Sequence, residues 1–301
     1  MTFGAGNAGL LLAVLSAAAF SFKAIFVKLG LAHGADAVTL LALRMAFALR
    51  MAFALPVFLF MAWRCGASGL TRRDWLWLAA LGLSGYYLSS LFDFLGLQYI
   101  SAGLERLILF TYPTLVLVFS ALFLGQKITR SALGALLLCY AGIGLAVSHD
   151  LTFAGASRNL VVGSLWVFAS AVSYALFWMG TGHVVTRIGA TRLSAFASIF
   201  ACLFVLGHFA ATHPLHALVV PPRVYLDGLA LALLSTVLPI WLQAEAIRRI
   251  GAGTASLVGT LGPVITIFLG WWILDEAMSP SQLAGAGLVI AGVLLVSVRK
   301  G

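Results

Sequence analysis

Charged side chains are scarce in this sequence, and acidic ones are the scarcest. Of the 301 residues only 9% are charged, and only 9 are Asp or Glu. A soluble domain carries about 25% charged residues, so the composition excludes an ordinary water-soluble fold. The net charge of +9 does not indicate nucleic-acid binding, because the 18 Lys and Arg are scattered among apolar stretches and form no basic stripe.

Cysteines and cofactor motifs are also lacking. The only cysteines are Cys65, Cys139 and Cys202, and their wide spacing matches neither a CxxC pair nor a metal-ligand set. We therefore predict small, buried apolar side chains at these positions. The chain has no Walker motif and no complete glycine-rich nucleotide loop, so neither a cofactor nor a metal is predicted.

Apolar residues dominate instead: they make up 62% of the chain, and the mean hydropathy is +1.08. A helix needs about 20 apolar residues to cross a bilayer. The apolar runs are continuous rather than alternating, which favours helices over a transmembrane β-barrel. The prediction is an all-α integral membrane protein with ten transmembrane helices, at 8–30, 38–63, 75–97, 104–124, 131–148, 160–180, 193–212, 226–245, 254–274 and 281–298.

The positions of Lys and Arg predict the orientation of these spans, since basic residues are enriched in cytoplasmic loops. With the N-terminus in the cytoplasm, eleven basic residues fall on the inner side and four on the outer side. We therefore expect both termini to be cytoplasmic and the acidic pair Asp275 and Glu276 to lie outside.

The strongest pattern is an internal repeat at an offset of 150 residues. Each half of the chain, 1–150 and 151–301, contains five predicted spans. Because five is an odd number, the halves are predicted to be inverted relative to each other, as in many alternating-access transporters. Matching residues include Ile100 with Ile250, Gly103 with Gly253, Leu107 with Leu257, Pro113 with Pro263 and Gly142 with Gly292.

This arrangement of two five-helix halves resembles the drug/metabolite transporter superfamily, specifically its EamA-type exporters. The resemblance covers nearly the whole chain, and it implies two pseudo-symmetric bundles around a central cavity in a bacterial inner membrane. It also implies export of a small polar metabolite. The segments that carry it are FSFKAIFVK at 20–28, LLALRM at 40–45, GLQYISA at 96–102, LERLILFTYP at 104–113, AGTASL at 252–257, and Asp275 with Glu276.

One segment departs from the family pattern, because ALRMAF occurs twice in succession, at 42–47 and 48–53. The family pattern needs one copy. We interpret the second as a tandem duplication absorbed at the outer end of the helix. On this interpretation Arg50 keeps the family position relative to Pro56, and Arg44 extends toward the outer interface.

Ionisable residues inside the spans are the leading candidates for substrate binding, since each is costly to insert into a bilayer. In one hypothesis Lys23 and Arg50 line the cavity and bind a carboxylate. In the other, Lys23 pairs with Asp93 and Glu105 pairs with an arginine, and these pairs hold the helices in position. Lys23 and Arg50 carry two positive charges and Asp93 carries one negative charge. The remaining positive charge favours anionic or zwitterionic substrates. Further polar candidates are Arg44, Gln243 and Glu245.

Aromatic and proline residues complete the predicted site. Pro113 and Pro263 occupy equivalent mid-span positions, where a proline bends the helix. We expect them to act in gating, although a static packing kink is the alternative. Aromatic side chains that could stack on a substrate are Tyr86, Tyr112, Tyr174, Trp178 and Trp241.

These features predict a secondary active transporter whose partners are a small metabolite, the lipid bilayer and a coupling ion such as a proton. The small residues of the fifth span permit close helix contact, either within the bundle or across a homodimer. The alternatives are a passive channel, which would need a ring of like polar groups, and an intramembrane enzyme acting on a lipid. The enzyme is disfavoured because the acids are isolated and no histidine is mid-span; His208, His213 and His216 cluster in the outer loop between spans 7 and 8.

Overall fold

The computed structural model describes residues 5–50, 63–64, 66–125, 130–154, 158–239, 242–243, 245–246, 249–250, 258–259 and 261–297. Its described part is helical and contains no strand, which confirms the predicted all-α class. The helices are α1 Ala5–Ala32, α2 Ala37–Arg50, α3 Arg72–Leu81, α4 Ser89–Gly96, α5 Ala102–Leu109, α6 Tyr112–Leu124, α7 Arg130–Ala154, α8 Arg158–Ile188, α9 Ala190–Thr212, α10 Pro222–Ala232, α11 Gly262–Leu274 and α12 Pro280–Ser297.

Within the described residues, five helical stretches are long and apolar enough to cross a membrane. They coincide with the first, third, fourth, sixth and seventh predicted spans. The chain is therefore a multi-pass membrane protein, and the full set of ten spans stays a prediction. The five stretches are Asn7–Ala32, Arg72–Gly96, Ala102–Phe123, Arg158–Thr181 and Arg192–Thr212.

Several helices begin at a capping side chain, which the sequence provides. The Thr71 hydroxyl accepts a hydrogen bond from the backbone N–H of Asp74, and the Asp74 carboxylate accepts one from the backbone N–H of Thr71, so α3 starts with a capping box. Ser101 caps α5 by accepting one hydrogen bond, from the backbone N–H of Leu104. Asp36 accepts hydrogen bonds from the backbone N–H groups of Val38 and Thr39 at the start of α2. Each cap supplies acceptors for N–H groups that have no partner within the helix.

The pKa of Asp36 reflects its capping role. Partial burial works to raise the pKa, but hydrogen bonds from Thr39 and the nearby charge of His213 outweigh burial and hold the pKa below its ordinary value. The ionised carboxylate is therefore the form that caps α2.

Two π-helical segments interrupt the long spans, Gly82–Leu88 between α3 and α4 and Leu233–Val237 after α10. Their positions are equivalent at the 150-residue offset. A π turn accommodates one extra residue and is frequent at functional sites. In the first segment, a Cβ at Gly82 would overlap the carbonyl oxygen of Ala197, and one at Gly85 would overlap the Phe177 ring. Glycine therefore lets α8 and α9 approach the π turn closely.

The fourth predicted span is interrupted in its middle. Helix α5 ends at Leu109, and α6 begins at Tyr112 with Pro113 in its first turn. Because proline has no N–H, the helical hydrogen bond to the carbonyl of Leu109 is lost and the helix bends. Pro263 occupies the same position in the first turn of α11. The two predicted proline sites are thus both starts of helical segments.

Helices α7 and α12 pack along each other in opposite directions. The backbones of Gly142 and Gly285 approach so closely that a Cβ on either would overlap the other's carbonyl oxygen. Further along, the Cys139 Sγ lies 3.7 Å from the carbonyl oxygen of Val289. The small residues of the fifth span therefore contact a helix of the same chain. Cys139 and Cys202 are buried free thiols, as predicted, whereas Cys65 lies outside the described residues.

The largest buried cluster of apolar side chains joins α1, α2, α4, α9 and α10, with Ile25, Leu40 and Phe94 among its fully buried members. In a bilayer, lipid tails are as apolar as these side chains, so helix association rests on close packing rather than on transfer from water. Dense packing of this cluster holds α1, α2 and α4 together, and these helices carry Lys23, Arg44 and Asp93.

Candidate functional site

Lys23 lies between two acidic side chains in the interior of the helix bundle. Its Nζ is 2.7 Å from the Oδ2 of Asp93 and 3.6 Å from the Oε1 of Glu105. The Lys23 side chain is 16% exposed, whereas Asp93 is 2% and Glu105 is 0% exposed. One ammonium group thus faces two buried carboxyl groups. We call Lys23, Asp93 and Glu105 the central triad.

The short turn between α4 and α5 brings the two acids together. Asp93 lies one turn before the end of α4, and its carbonyl accepts a hydrogen bond from Leu97. Glu105 lies in the first turn of α5, where its N–H donates to the carbonyl of Ser101. A carboxylate near a helix N-terminus is favoured by the helix dipole. The two helix ends therefore present their acids to Lys23 from adjacent elements.

Two arginines lie near the central triad. The guanidinium of Arg44 is 5.9 Å from the centre of the Phe94 ring and interacts electrostatically with Asp93. Arg44 thus packs on a fully buried ring, and its extension toward the outer interface stays a prediction. The guanidinium of Arg106 is 5.6 Å from the Phe110 ring and interacts electrostatically with Asp93 and Glu105.

The carboxyl oxygens of the central triad lack ordinary hydrogen-bond donors. None of the four oxygens of Asp93 and Glu105 accepts a hydrogen bond from a described backbone or hydroxyl group, and the buried Nε of Arg106 also lacks a partner there. Buried polar atoms normally have hydrogen-bond partners. The carboxyl oxygens of Asp93 and Glu105 and the Nε of Arg106 are therefore exceptions.

Four of the five predicted aromatic residues lie in one group of neighbouring rings. The rings of Tyr112 and Tyr174 are 4.8 Å apart, and the Trp178 ring is 6.4 Å from that of Tyr112. The Tyr86 ring contacts Phe177 at 5.1 Å, and Phe177 also stacks on Tyr174 at 5.9 Å. Phe177 was not predicted, because nothing in the sequence distinguishes it from the other 20 phenylalanines of the 21 in the chain.

The remaining predicted residues are not part of this group. Glu245 pairs with Arg249, whose Nε is 2.7 Å from its Oε1, one turn along the same helical stretch. Gln243 is half-buried, and no described contact joins it to the central triad. Trp241 and the side chain of Arg50 lie outside the described residues.

Sequence reasoning missed a second lysine–carboxylate contact, at the other end of α1's charged segment. The Lys28 Nζ is 2.5 Å from the Oε1 of Glu276, and both oxygens of Glu276 accept from the backbone N–H of Ala102 at 3.0 Å. We call Lys28, Glu276 and the Ala102 N–H the peripheral contact. The N–H groups at the start of α5 need acceptors, but an acceptor so distant in sequence leaves no local pattern.

The histidines near the peripheral contact have partners other than a metal. His33 Nδ1 is 2.6 Å from Asp227 Oδ2, and His213 Nε2 is 3.4 Å from Asp36 Oδ1. His208 contacts the hydroxyl of Tyr87 at 2.8 Å. Over the described ranges, no group of three or more His, Cys, Asp or Glu residues is arranged to hold a metal ion. A cavity of about 530 Å³, lined by Lys28, Asp36 and Gln98 among others, opens in this region.

The chain is similar to membrane transporters over most of its length. A sequence model of the EamA-like transporter family matches residues 7–148 and again 161–298. The uncharacterized transporter YcbK of Bacillus subtilis is 29% identical over 97% of this chain and 94% of its own. One solved crystal structure aligns with a TM-score of 0.63 at 17% identity, over 97% of this chain and 96% of the other, which shows a shared fold.

Two relatives have names that specify a cargo. The S-adenosylmethionine/S-adenosylhomocysteine transporter of Chlamydia trachomatis is 24% identical over 73% of this chain and 69% of its own. A probable terminal-alkyne amino-acid exporter of Streptantibioticus cattleyicolor is 26% identical over 79% of this chain and 80% of its own.

Proposed function

Because the chain belongs to the EamA-like transporter family, we propose that it is a secondary active transporter that exports a small polar metabolite by alternating access. The substrate class is an amino acid, a carboxylate or a related anionic or zwitterionic compound. The proposed location is a bacterial inner membrane, with both termini in the cytoplasm.

The observation that carries this proposal is the central triad with its flanking arginines. Ionisable groups inside a membrane are expensive, and they mark substrate or ion pathways. Lys23 and Arg106 offer cations to a carboxylate, while Asp93 and Glu105 offer acceptors to an ammonium group. The names of the two cargo-specific relatives point to amino acids and their derivatives, which carry both groups.

Two observations support inverted halves. The family model matches the chain twice, once in each half. Cys139 and Val289 are equivalent at the 150-residue offset, and they contact each other between the oppositely directed α7 and α12. Contact between a residue and its own equivalent is expected beside a two-fold axis. Substrate sites of such transporters lie at the interface between the repeats.

The interrupted helices supply the moving parts in this proposal. Pro113 and Pro263 begin α6 and α11 at equivalent positions, and a missing helical hydrogen bond makes each a bending point. The peripheral contact joins the halves in this conformation, because Lys28 and Ala102 belong to one half and Glu276 to the other. Access from that side requires this contact to separate.

A growth screen tests the function. A bacterial strain overexpressing the chain is compared with one expressing Lys23→Ala at equal membrane abundance, on inhibitory amino acids, their analogues and small carboxylates. We expect the wild-type chain alone to raise resistance to a chemically related subset. Equal resistance in both strains, at matched abundance, contradicts a Lys23-centred exporter. Saturable counterflow in vesicles, measured with a compound to which the chain confers resistance, then excludes a channel.

The inverted topology has its own test. Ile128→Cys and Asp275→Cys are placed at positions of the repeat that should face opposite sides of the membrane. A membrane-impermeant thiol reagent added to intact cells should label only the cysteine at 275. Labelling of both positions from outside contradicts the inverted arrangement.

A further inference from the structure

Four arginines that lie far apart in the sequence come together where α3 and α9 begin and α8 ends. We call them the basic cluster: Arg72, Arg73, Arg187 and Arg192. We propose that the basic cluster binds the phosphate group of an anionic phospholipid, whose acyl chains lie along the exposed face of α3. The proposal concerns the membrane-facing surface of the chain and does not depend on the transported compound.

Two contacts bring the three helix ends together. The Nη1 of Arg192 donates to the carbonyl oxygen of Ser68, 3.3 Å away, in the turn that leads into α3. Arg187, in the last turn of α8, pairs with the carboxylate of Asp74 in the first turn of α3. Gly189, with a φ of 87°, is the only residue between α8 and α9. Its left-handed conformation allows the tight turn that places Arg187 and Arg192 on adjacent helix ends.

This end of the bundle is strongly positive because the carboxylate of Asp74 is already used. Asp74 is buried, accepts from the backbone N–H and the hydroxyl of Thr71 at 2.8 and 2.7 Å, and pairs with Arg187. Arg72 and Arg73 are exposed, and neither forms an ion pair with an acidic residue that the structure describes. Four arginines against one carboxylate leave three positive charges here.

Arg72 and Arg73 occupy positions that an isolated helix disfavours. They are the first two residues of α3, where the helix dipole has its positive end and favours negative charge. The capping box of Thr71 and Asp74 already starts this helix, so the arginines are not needed as caps. Residues that break such a local rule are expected at functional sites. An anionic headgroup compensates for both charges, since a guanidinium binds a phosphate through paired hydrogen bonds.

An exposed apolar face runs along α3 from the basic cluster into the bilayer. Leu76 is 65% exposed, and Ala80 is also exposed. They follow Arg72 by one and two helical turns, so all three residues lie on the same face of the helix. The face is therefore charged at the membrane surface and apolar below it, which matches the headgroup and the acyl chains of a phospholipid.

The neighbouring helices border this face without covering it. On one side Trp75 packs on Phe196 of α9, with ring centres 4.9 Å apart. On the other side a Cβ at Gly180 of α8 would lie 3.5 Å from the Trp77 ring. The two tryptophans thus fill the contacts of α3 with α8 and α9, and the exposed face between them is left for lipid.

The position of the basic cluster favours a lipid over a soluble anion. Two of the apolar helical stretches begin at Arg72 and at Arg192, which places these guanidinium groups at the level of the headgroups. Basic pockets between transmembrane helices bind anionic headgroups in this way. A free phosphate would use the charges alone, whereas a phospholipid also uses the exposed face of α3.

Thermal unfolding of the whole chain in detergent, followed by circular dichroism, tests the proposal. Phosphatidylglycerol, an anionic lipid, should raise the unfolding temperature of the wild type more than the zwitterionic phosphatidylcholine does. Arg72→Gln combined with Arg73→Gln should raise the phosphatidylglycerol fraction that gives half of this shift about thirtyfold. Arg187 is left unchanged, because its removal would deprive the buried Asp74 of its cation.

Folding of the double variant is checked in phosphatidylcholine. There it should unfold no lower than the wild type, because two positive charges have left the start of α3. In phosphatidylglycerol it should unfold lower than the wild type. This change of sign between the two lipids separates lost lipid binding from a damaged fold.

Arg158→Gln combined with Arg223→Gln is the matched control, since it removes the same charge from the first turns of α8 and α10. The control should keep the phosphatidylglycerol shift of the wild type. An equal shift in the wild type and the Arg72, Arg73 variant, or an equal loss in the control, overturns the proposal. Soluble glycerol phosphate at the same phosphate concentration should have little effect, and a shift as large as that of the lipid would assign the cluster to a free phosphate instead.

Discussion

Two lysines of α1 contact carboxylates, and the two contacts differ in how well the acids are satisfied. At the peripheral contact, the carboxylate of Glu276 meets Lys28 and accepts from the Ala102 N–H through both oxygens. In the central triad, Lys23 meets two acids whose oxygens have no other donor among the described groups. The peripheral carboxylate is also more exposed, at 15% against 2% for Asp93 and 0% for Glu105.

In the proposed function, the peripheral contact holds helices together and the central triad binds the ligand. A carboxylate with a full set of donors loses binding energy when any ligand replaces its partner. An acid with unfilled acceptor positions gains hydrogen bonds when a ligand arrives, because an unsatisfied buried polar group costs about 1–3 kcal/mol. The sites that await a ligand are therefore expected among the unsatisfied groups rather than among the best ion pairs.

The largest expected effect breaks the central triad. Lys23→Ala leaves a buried negative charge without its cation, which costs about 3–5 kcal/mol when a buried pair is broken. We expect transport to vanish and the thermal unfolding temperature to fall. Lys23→Ala with Asp93→Asn should recover most of the unfolding temperature without recovering transport, and Lys23→Arg should keep part of both. A double variant that regains transport would show that Lys23 only neutralises Asp93.

A second variant pair asks which arginine assists the central triad. The sequence favoured Arg50, whose side chain lies outside the described residues, and the structure places Arg44 near Asp93. We expect Arg44→Ala to reduce transport about tenfold, the loss of about 1.4 kcal/mol of binding, and Arg50→Ala to have a smaller effect. Removing one copy of ALRMAF leaves one arginine in this segment, and the shortened chain should remain active. A larger loss in Arg50→Ala would restore the sequence-based interpretation.

At the peripheral contact the expected effects are smaller and fall on stability. Glu276→Ala removes the acceptor at the start of α5, and loss of a helix cap costs about 0.5–2 kcal/mol. Lys28→Ala should cost less, about 0–1 kcal/mol, because the pair is partly exposed. Both values are measured by chemical denaturation in detergent. A Lys28→Ala cost equal to that of Lys23→Ala would remove the distinction between the two contacts.

The smallest expected effect concerns the cap of α2. Asp36→Ala should lower stability by about 1 kcal/mol, and Asp36→Asn by less, since asparagine also caps helices. The pKa of Asp36 is lowered in the folded chain, so its contribution is present above the ordinary pKa and is lost as the pH falls through the lowered value. The difference between wild type and Asp36→Ala should therefore shrink at strongly acidic pH. A constant difference would contradict a charged cap.

Sequence reasoning predicted the helical class and the main spans because length and hydropathy are local properties. It also offered the Lys23–Asp93 pair as one of two hypotheses. It did not predict that Glu105 joins the same lysine, since this depends on the turn between α4 and α5. The π turns and the Glu276–Ala102 contact were missed for a similar reason: they depend on how distant helices pack, which leaves no periodic signal in the chain.

The internal repeat alone does not reveal which residues would bind a ligand. Asp93 and Glu105 have no acidic equivalents at the 150-residue offset, where Gln243 and Ala255 stand. The central triad is therefore asymmetric even though the breaks at Pro113 and Pro263 are paired. In the proposed function, the paired breaks are the moving parts and the unpaired charges bind the ligand.

Counterflow in proteoliposomes tests the central claim most directly. Wild type, Lys23→Ala and Lys28→Ala are reconstituted at equal protein content, and labelled uptake of a compound from the growth screen is measured against an internal excess of the same compound. The account predicts saturable exchange by the wild type, exchange within a few-fold of it by Lys28→Ala, and none above empty liposomes by Lys23→Ala. Wild-type exchange by a folded Lys23→Ala chain would contradict it.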